Sequence, residues 1–303
     1  GKTQVFVTGQ GDHYRTRLTH TMEVSQISRD ISRTFSLNED LTECISLAHD
    51  LGHPPFGHAG EELINKWMKQ FNNSFEHNEQ SYRIVTLLED HCNSFVGLNL
   101  NQEILDGLLK HQTIHDQTSS VFCGQTLEAQ VVNIADEIAY SAHDCDDGLS
   151  MSLFSLKDIL DVPLAVAAHI KAKERGTSLR GALIHLLVSD LYSATETRIK
   201  EEGIASSEDV FSATSPLIVF SPKMIKSLSM LRTFLWDNMY NHPDVLSKSE
   251  AGKHKLKKLL SKLYSSPNEK VLELKAKTNG ALEEAVKDYV AGMTERYAEE
   301  VKH

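Results

Sequence analysis

The spacing of apolar residues restricts the fold of this chain more than any other feature of its sequence. Within residues 18–35, the positions suited to burial recur at intervals of three and four, which places them on one face of a helix. These positions are His20, Val24, Ile27, Ile31 and Phe35. The same spacing predicts further helices at 79–91, 101–111, 126–146, 178–201, 223–240, 253–264 and 279–301.

Strand patterns are few. QVFV at residues 4–7 and PLIVF at residues 216–220 are the candidates for short strands. Because helical patterns outnumber them so strongly, a wound α/β sheet is excluded. We predict an all-α helical bundle with at most a short β-hairpin.

A second helix is predicted in SLNEDLTECISLAHDLG, residues 36–52. Either Ser36, with Glu39 three positions later, or Asn38 can cap its start. Gly52 and the proline that follows two residues later predict its end.

A length of 303 residues is compatible with one large domain or about two. Polar connections at 171–178 and 202–216 can separate a core from a C-terminal part. We expect an N-terminal core over 1–170 and a helical extension over 171–303 that packs on it.

Composition excludes several classes of protein. No apolar run reaches about 18 residues, so no membrane span is expected, and the first residues are too polar for a signal peptide. The four cysteines have no CxxC spacing, which indicates reduced thiols in a cytoplasmic protein. The formal net charge of −11 argues against a dedicated nucleic-acid binder, because phosphate affinity needs a basic surface.

The segment HDLGHPPFGHAGE, residues 49–61, concentrates three histidines, an aspartate and a glutamate. Burying a polar group without a partner costs about 1–3 kcal/mol. The segment is therefore either a surface loop with scattered histidines or a site built around a cation.

Candidate ligands for such a cation come from distant parts of the sequence. His20 lies on the buried face of the first helix, and His49 with Asp50 lies near the end of the second. A third predicted helix adds one polar face, formed by Asp136, Tyr140 and Asp144 at intervals of four, with His143 beside them. Two imidazoles and two carboxylates suit Mn, Fe, Co or Ni better than a closed zinc site.

The order His20, His49–Asp50 and Asp136 resembles the HD superfamily of metal-dependent phosphohydrolases. Four longer strings resemble the bacterial deoxyguanosinetriphosphate triphosphohydrolase family, which is related to the mammalian SAM-and-HD-domain dNTP hydrolase. They are RTRLTHTMEV, AHDLGHPPFGHAGE, FEHNEQS and IADEIAYSAHDCDDG. The resemblance covers residues 1 to about 150 and continues more weakly through SPLIVFSPKMIKSLSMLRTFLWDNMYNHPDV.

This resemblance implies hydrolysis of a dNTP to the deoxynucleoside and inorganic triphosphate, with attack at the α-phosphorus. By similarity, His20, His49, Asp50 and Asp136 hold a divalent metal ion: Mn, Mg, or another such as Ni, Co or Fe. A bound ion of this kind polarises phosphate oxygens and lowers the pKa of a water ligand to about 7.

The resemblance also implies roles for other residues. His58 and Glu61 match the family's catalytic pair, and if the segment is helical their spacing of three makes them neighbours. The residues that match substrate contacts are Arg17, His53, His77 and Asn78 for the phosphates and Tyr140 and Asp144 for the sugar. A phenol packed under the sugar favours 2′-deoxy substrates, because an additional 2′-hydroxyl collides with the ring.

Further expectations follow from the same resemblance. The family forms assemblies, and the long amphipathic helices outside the core agree with a homo-oligomer. Relatives have residues ahead of the position of Gly1, including a glutamine near the sugar, so the chain is expected to be a fragment of a longer protein. Glu137 stands where the mammalian relative has a lysine.

Two other functions remain open at this stage. One is a different HD phosphohydrolase, such as a 5′-nucleotidase acting on monophosphates. The other is a non-catalytic module that senses nucleotides or binds nucleic acid, with a structural or degenerate metal site.

Several features also have structural explanations. Taken alone, His20 is better explained as a hydrogen-bonded core histidine. His111 and His115 are interpreted as structural or peripheral, GQGDH at 9–13 as a turn, and the lysine-rich stretch 248–276 as a solvated helix face.

Overall fold

The computed structural model describes residues 16–109 and 125–300. These ranges contain no β-strand, and two isolated β-bridges occur between residues 90 and 97. The prediction of an all-α fold is therefore confirmed. The helices are α1 (Arg17–Thr34), α2 (Glu39–Ala48), α3 (Gly57–Met68), α4 (His77–Arg83), α5 (Gln102–Leu108), α6 (Leu127–Ser150), α7 (Leu156–Ile159), α8 (Pro163–Arg175), α9 (Leu179–Glu201), α10 (Ser207–Ser212), α11 (Pro222–Leu235), α12 (Pro243–Ser265), α13 (Glu269–Thr278), α14 (Leu282–Ala291) and α15 (Glu295–Glu300).

The first two helices follow their predicted patterns. His20, Val24 and Ile31 on α1 are buried, as the spacing of three and four requires. At the start of α2, the amide of Leu41 donates to Oδ1 of Asn38 at 3.0 Å, so Asn38 is the capping residue. Ser36 instead has a φ of 57° and lies in the turn that separates α1 from α2.

Several predicted helices differ in their ends, and the one predicted at 253–264 is part of α12, which begins earlier, at Pro243. The pattern at 79–91 corresponds to α4 followed by the π-helical turn Ile84–Leu88, and α11 likewise continues as the π-helical turn Trp236–Tyr240. The pattern at 279–301 is two helices, α14 and α15, because the chain leaves the helix at Gly292. A glycine has little helix propensity, and the periodicity of its neighbours concealed the break.

The prediction of a strand at 216–220 is wrong. Leu217 and Ile218 are buried there in irregular backbone. Their amides donate to Oε1 of Gln130 at 2.7 and 3.2 Å, and the amide of Val219 donates to Oγ1 of Thr195 at 3.1 Å. Side chains of α6 and α9 thus satisfy the backbone donors that a neighbouring strand would otherwise satisfy. The other candidate strand, 4–7, lies outside the described residues.

Contacts between Cα atoms divide the chain into two compact units, each discontinuous in sequence. Among the described residues, the first unit comprises 16–22, 47–109 and 244–300, and the second comprises 23–46 and 125–243. The boundary at residue 170 remains a prediction. None of the helices in the described ranges is both long and apolar enough to cross a lipid bilayer.

Each unit has its own apolar core. In the first unit, Ile64 and Met68 of α3 pack with Leu256 and Leu260 of α12 and with Val286 of α14. In the second unit, α6, α8, α9 and α11 contribute fully buried aliphatic side chains. They include Ile138, Ala168, Leu183, Leu187, Leu191 and Leu231.

Candidate functional site

Three potential metal ligands converge in the first unit. His20 is on α1, and His49 and Asp50 are in the turn that follows α2. The rings of His20 and His49 are each 1% exposed, and their centroids are 5.9 Å apart. One ligand atom from each of the three residues lies within 4.8 Å of the others. Two buried imidazoles and a carboxylate in this arrangement fit a divalent transition ion.

The carboxylate of Asp50 also joins this group to its neighbours. Its Oδ2 accepts a hydrogen bond from Nη1 of Arg17 at 2.9 Å, and its Oδ1 lies 3.2 Å from Nε2 of His53. Burial alone would raise the pKa of Asp50. The adjacent His53, His49 and Arg17 lower it by more, so the pKa lies well below its ordinary value. The group is therefore an ionised carboxylate, the form that binds cations.

His53 connects the ligand group to a second set of imidazoles. Its ring stacks on that of His77, with centroids 3.8 Å apart and planes 14° apart, and meets the ring of His58 edge-on at 5.7 Å. Burial and the charge of Arg17 hold the pKa of His53 well below its ordinary value. Asp50, His53 and His77 form another group whose ligand atoms lie within 4.8 Å of one another.

Glu61 lies between His58 and His77. Because residues 57–68 are helical, the spacing of three does bring His58 and Glu61 together, with Nδ1 of His58 3.4 Å from Oε2 of Glu61. The side chain of His58 is 88% exposed and that of Glu61 is 16% exposed. Burial raises the pKa of Glu61, but hydrogen bonds from His58 and His77 lower it by more, so its pKa lies far below its ordinary value.

A tight turn ahead of α3 sets the position of His58. Phe56 has a φ of 64° and Gly57 a φ of 55°, which reverse the chain after the two prolines. A Cβ on Gly60 would lie 2.0 Å from the carbonyl oxygen of Pro55, so only glycine allows the turn to pack on α3. The ring of Phe56 in turn packs against Gly252 of α12, where a Cβ would lie 2.7 Å from it.

Asn78 follows His77 on α4 and is 7% exposed. Its Oδ1 is buried and has no hydrogen-bond partner among the residues that the structure describes. A buried amide oxygen without a partner costs free energy unless another group binds there. Oδ1 of Asn78 is therefore able to accept a hydrogen bond from a bound ligand.

The remaining predicted site residues are on α6, in the second unit. Asp136, Tyr140 and Asp144 follow one another at intervals of four on this helix, and Asp144 is 3% exposed. Burial is the main cause that raises the pKa of Tyr140, against the opposing charge of Arg232. The phenol is therefore protonated at neutral pH. The role of Asp136 as a fourth ligand remains a prediction.

Two residues that sequence reasoning missed contact this helix face. The guanidinium of Arg232 lies 5.7 Å from the ring centroid of Tyr140 and forms an ion pair with Glu137. The hydroxyl of Tyr240 donates a hydrogen bond to Oδ2 of Asp144. Both belong to a pattern, 223–240, whose apolar spacing identified only a helix, and nothing in that pattern indicated their partners on α6. His111 and His115 lie outside the described residues.

Comparisons with known proteins agree with this geometry. The HD domain family matches residues 17–141, and the phosphohydrolase-associated domain family matches residues 218–303. A deoxyguanosinetriphosphate triphosphohydrolase-like protein of Geobacter sulfurreducens is 41% identical over 98% of this chain and 81% of its own length. Proteins with the same name from Thiobacillus denitrificans and Bartonella tribocorum are 40% and 38% identical, again over 98% of this chain and over 83% and 82% of their own lengths.

Proposed function

Because the chain belongs to the deoxyguanosinetriphosphate triphosphohydrolase-like family and contains an HD phosphohydrolase domain, we propose that it hydrolyses a dNTP to the deoxynucleoside and inorganic triphosphate. One observation carries the proposal: His20, His49 and Asp50 lie close together in the same unit that contains Glu61 and its two histidine partners. The metal would be Mn²⁺, Mg²⁺ or another divalent ion such as Ni, Co or Fe.

His20, His49 and Asp50 would hold the ion, and the sequence predicts Asp136 as the remaining ligand. When bound, the ion supplies Lewis-acid polarisation of the phosphate oxygens and an acidified water ligand. Arg17, paired with Asp50 at 2.9 Å, places a guanidinium at the ligand group, where its planar fork suits phosphate oxygens. It also offsets locally the negative charge of the chain.

His58 is the group that moves a proton in this proposal. Its Nδ1 faces Glu61, so Nε2 is the atom that exchanges a proton with water or with the 5′ oxygen. Glu61 remains ionised, so its carboxylate can accept a hydrogen bond from Nδ1 and orient the ring. His53, His77 and Asn78 are proposed to contact the phosphates. The ring of His77 is held for this role by its contact with Glu61.

Tyr140 and Asp144 are proposed to hold the deoxyribose. A protonated phenol can pack under the sugar, and an aspartate can accept a hydrogen bond from the 3′-hydroxyl. The same proposal includes a homo-oligomer, for which the exposed apolar residues Ile170 and Trp236, 54% and 60% exposed, offer contact surface. Light scattering on the purified chain tests its oligomeric state.

The decisive experiment incubates the chain with each dNTP and Mn²⁺ or Mg²⁺ and identifies the phosphorus products by ³¹P NMR. Tripolyphosphate with free deoxynucleoside is the expected result, and His58→Ala should abolish turnover. Orthophosphate released from deoxynucleoside monophosphates would identify a 5′-nucleotidase instead. Binding of dNTPs without any turnover under all of these conditions would identify a non-catalytic module.

A further inference from the structure

Helix α4 connects the candidate site with the C-terminal helices of the same unit. One of its faces carries His77 and Ser81, one turn apart. The Ser81 hydroxyl donates to the carbonyl oxygen of His49 at 3.0 Å and accepts from the amide of Gly52 at 2.9 Å. A Cβ on Gly52 would lie 2.0 Å from the carbonyl oxygen of His77, so the ligand turn packs directly on the backbone of α4.

Gln80 and Arg83, three residues apart, form another face of α4 and both contact Asp288 of α14. Nε2 of Gln80 donates to Oδ1 of Asp288 at 3.0 Å. Nε of Arg83 donates to both carboxylate oxygens at 3.0 and 2.9 Å, and its Nη2 lies 2.8 Å from Oδ2. Nζ of Lys287 is 3.2 Å from Oδ1, and the side chain of Asp288 is 0% exposed.

These contacts matter because α4 cannot hold its position alone. Its seven residues continue only into the five-residue π-helical turn Ile84–Leu88, so the helical segment is short. Isolated helices shorter than about 15 residues are marginal in water, so tertiary contacts set the location of α4. A buried carboxylate with several charged donors is a strong and directional contact of this kind.

We propose that Asp288 is a positioning residue for the hydrolytic reaction. Through its contacts with Gln80 and Arg83, Asp288 holds α4 in the position in which both the amide and the ring of His77 bind Glu61. Displacement of α4 would release Glu61 and, with it, the orientation of His58. The inference rests on the proposed function, in which His58 and Glu61 are the catalytic pair.

The test compares Asp288→Asn with Glu284→Gln. Glu284 is on the same helix, and its Oε2 lies 3.8 Å from Nη2 of the same Arg83, but its side chain is 30% exposed. Asp288→Asn should lower kcat by about 10- to 100-fold, as expected for small misplacements of reacting groups, with KM and bound metal changed by less than about threefold. Glu284→Gln should keep nearly the wild-type kcat.

A double-mutant cycle separates positioning from a general loss of stability. In a Glu61→Ala background, adding Asp288→Asn should cost little further kcat, because the carboxylate through which α4 is proposed to act on His58 is already removed. Fully additive losses would overturn the proposal. Should Asp288→Asn fail to fold, Gln80→Met takes its place in the same double-mutant cycle. It removes one hydrogen bond to Asp288 and no charge, so the expected loss of kcat is smaller.

Hydrogen exchange of the peptide that contains α4 provides a readout independent of turnover. It should be faster in Asp288→Asn than in the wild type and in Glu284→Gln. Unchanged exchange together with unchanged kcat would refute the role of Asp288. Absence of turnover in the wild type would instead refute the proposed function, and the exchange rates would still report whether Asp288 holds α4.

Discussion

His77 binds a single carboxylate oxygen of Glu61 twice. Its backbone amide donates to Oε1 at 2.9 Å, and Nδ1 of its ring lies 2.8 Å from the same atom. Oε2 of Glu61 is thereby left to face His58. The amide at the start of α4 thus fixes the plane of the carboxylate that orients the exposed imidazole.

Glu61 should make the folded chain sensitive to acid. Its pKa is lowered from an ordinary 4.5, so folding favours the ionised form. The resulting stability is fully present above about pH 5 and is lost as the pH falls further towards the lowered pKa of the folded state. Urea unfolding between about pH 7 and pH 3 should show a steeper loss for the wild type than for Glu61→Gln, which cannot titrate there. Parallel curves for the two proteins would exclude this linkage.

Removal of a predicted metal ligand should remove the metal and the activity together. For His49→Ala we expect loss of bound divalent ion and a fall in turnover of more than about 100-fold, since even outer residues of metal sites cost about 10- to 100-fold. Elemental analysis after dialysis and a product assay measure the two effects. His254→Ala, on the exposed face of α12, is the control and should retain both. Full metal content in His49→Ala would contradict the assignment.

Arg17→Lys should impair the reaction although the charge is kept. Lysine cannot reproduce the fork that now donates to Asp50 and is proposed to contact phosphate. Loss of a charged hydrogen bond costs about 1.5–3 kcal/mol, so kcat/KM should fall by about 10- to 150-fold. Steady-state kinetics with a saturating range of dNTP concentrations check this. An unchanged kcat/KM would show that the guanidinium has no special role.

Gly60→Ala should destabilise the turn that precedes His58. The added Cβ would meet the carbonyl oxygen of Pro55 at 2.0 Å, and a backbone atom cannot move aside as a flexible side chain can. We expect a loss of about 1–3 kcal/mol in the free energy of unfolding. Gly292→Ala, whose Cβ would be 3.4 Å from its nearest neighbour, should have little effect. Equal melting temperatures for the two variants would argue against this packing constraint.

The part of the candidate site between residues 49 and 61 could be anticipated from the sequence because its groups are close in the chain. The neighbourhood of His58 and Glu61 follows from a helix with 3.6 residues per turn. The burial of His20 follows from the apolar stripe on α1. The resemblance to a known family added the expected roles of residues that are distant in the chain.

Local periodicity alone determined the all-α character, the positions of most helices and the faces on which the site residues lie, because each depends on the spacing of nearby side chains. Tertiary structure decided which distant groups meet. It gave residues 216–220 an irregular path whose amides bind Gln130 and Thr195, and it placed Asp288 beneath α4, 205 residues from its partner Arg83. The physical reason is that a helix pattern is repeated within a few residues, whereas the partner of a buried polar group is set by how whole helices pack.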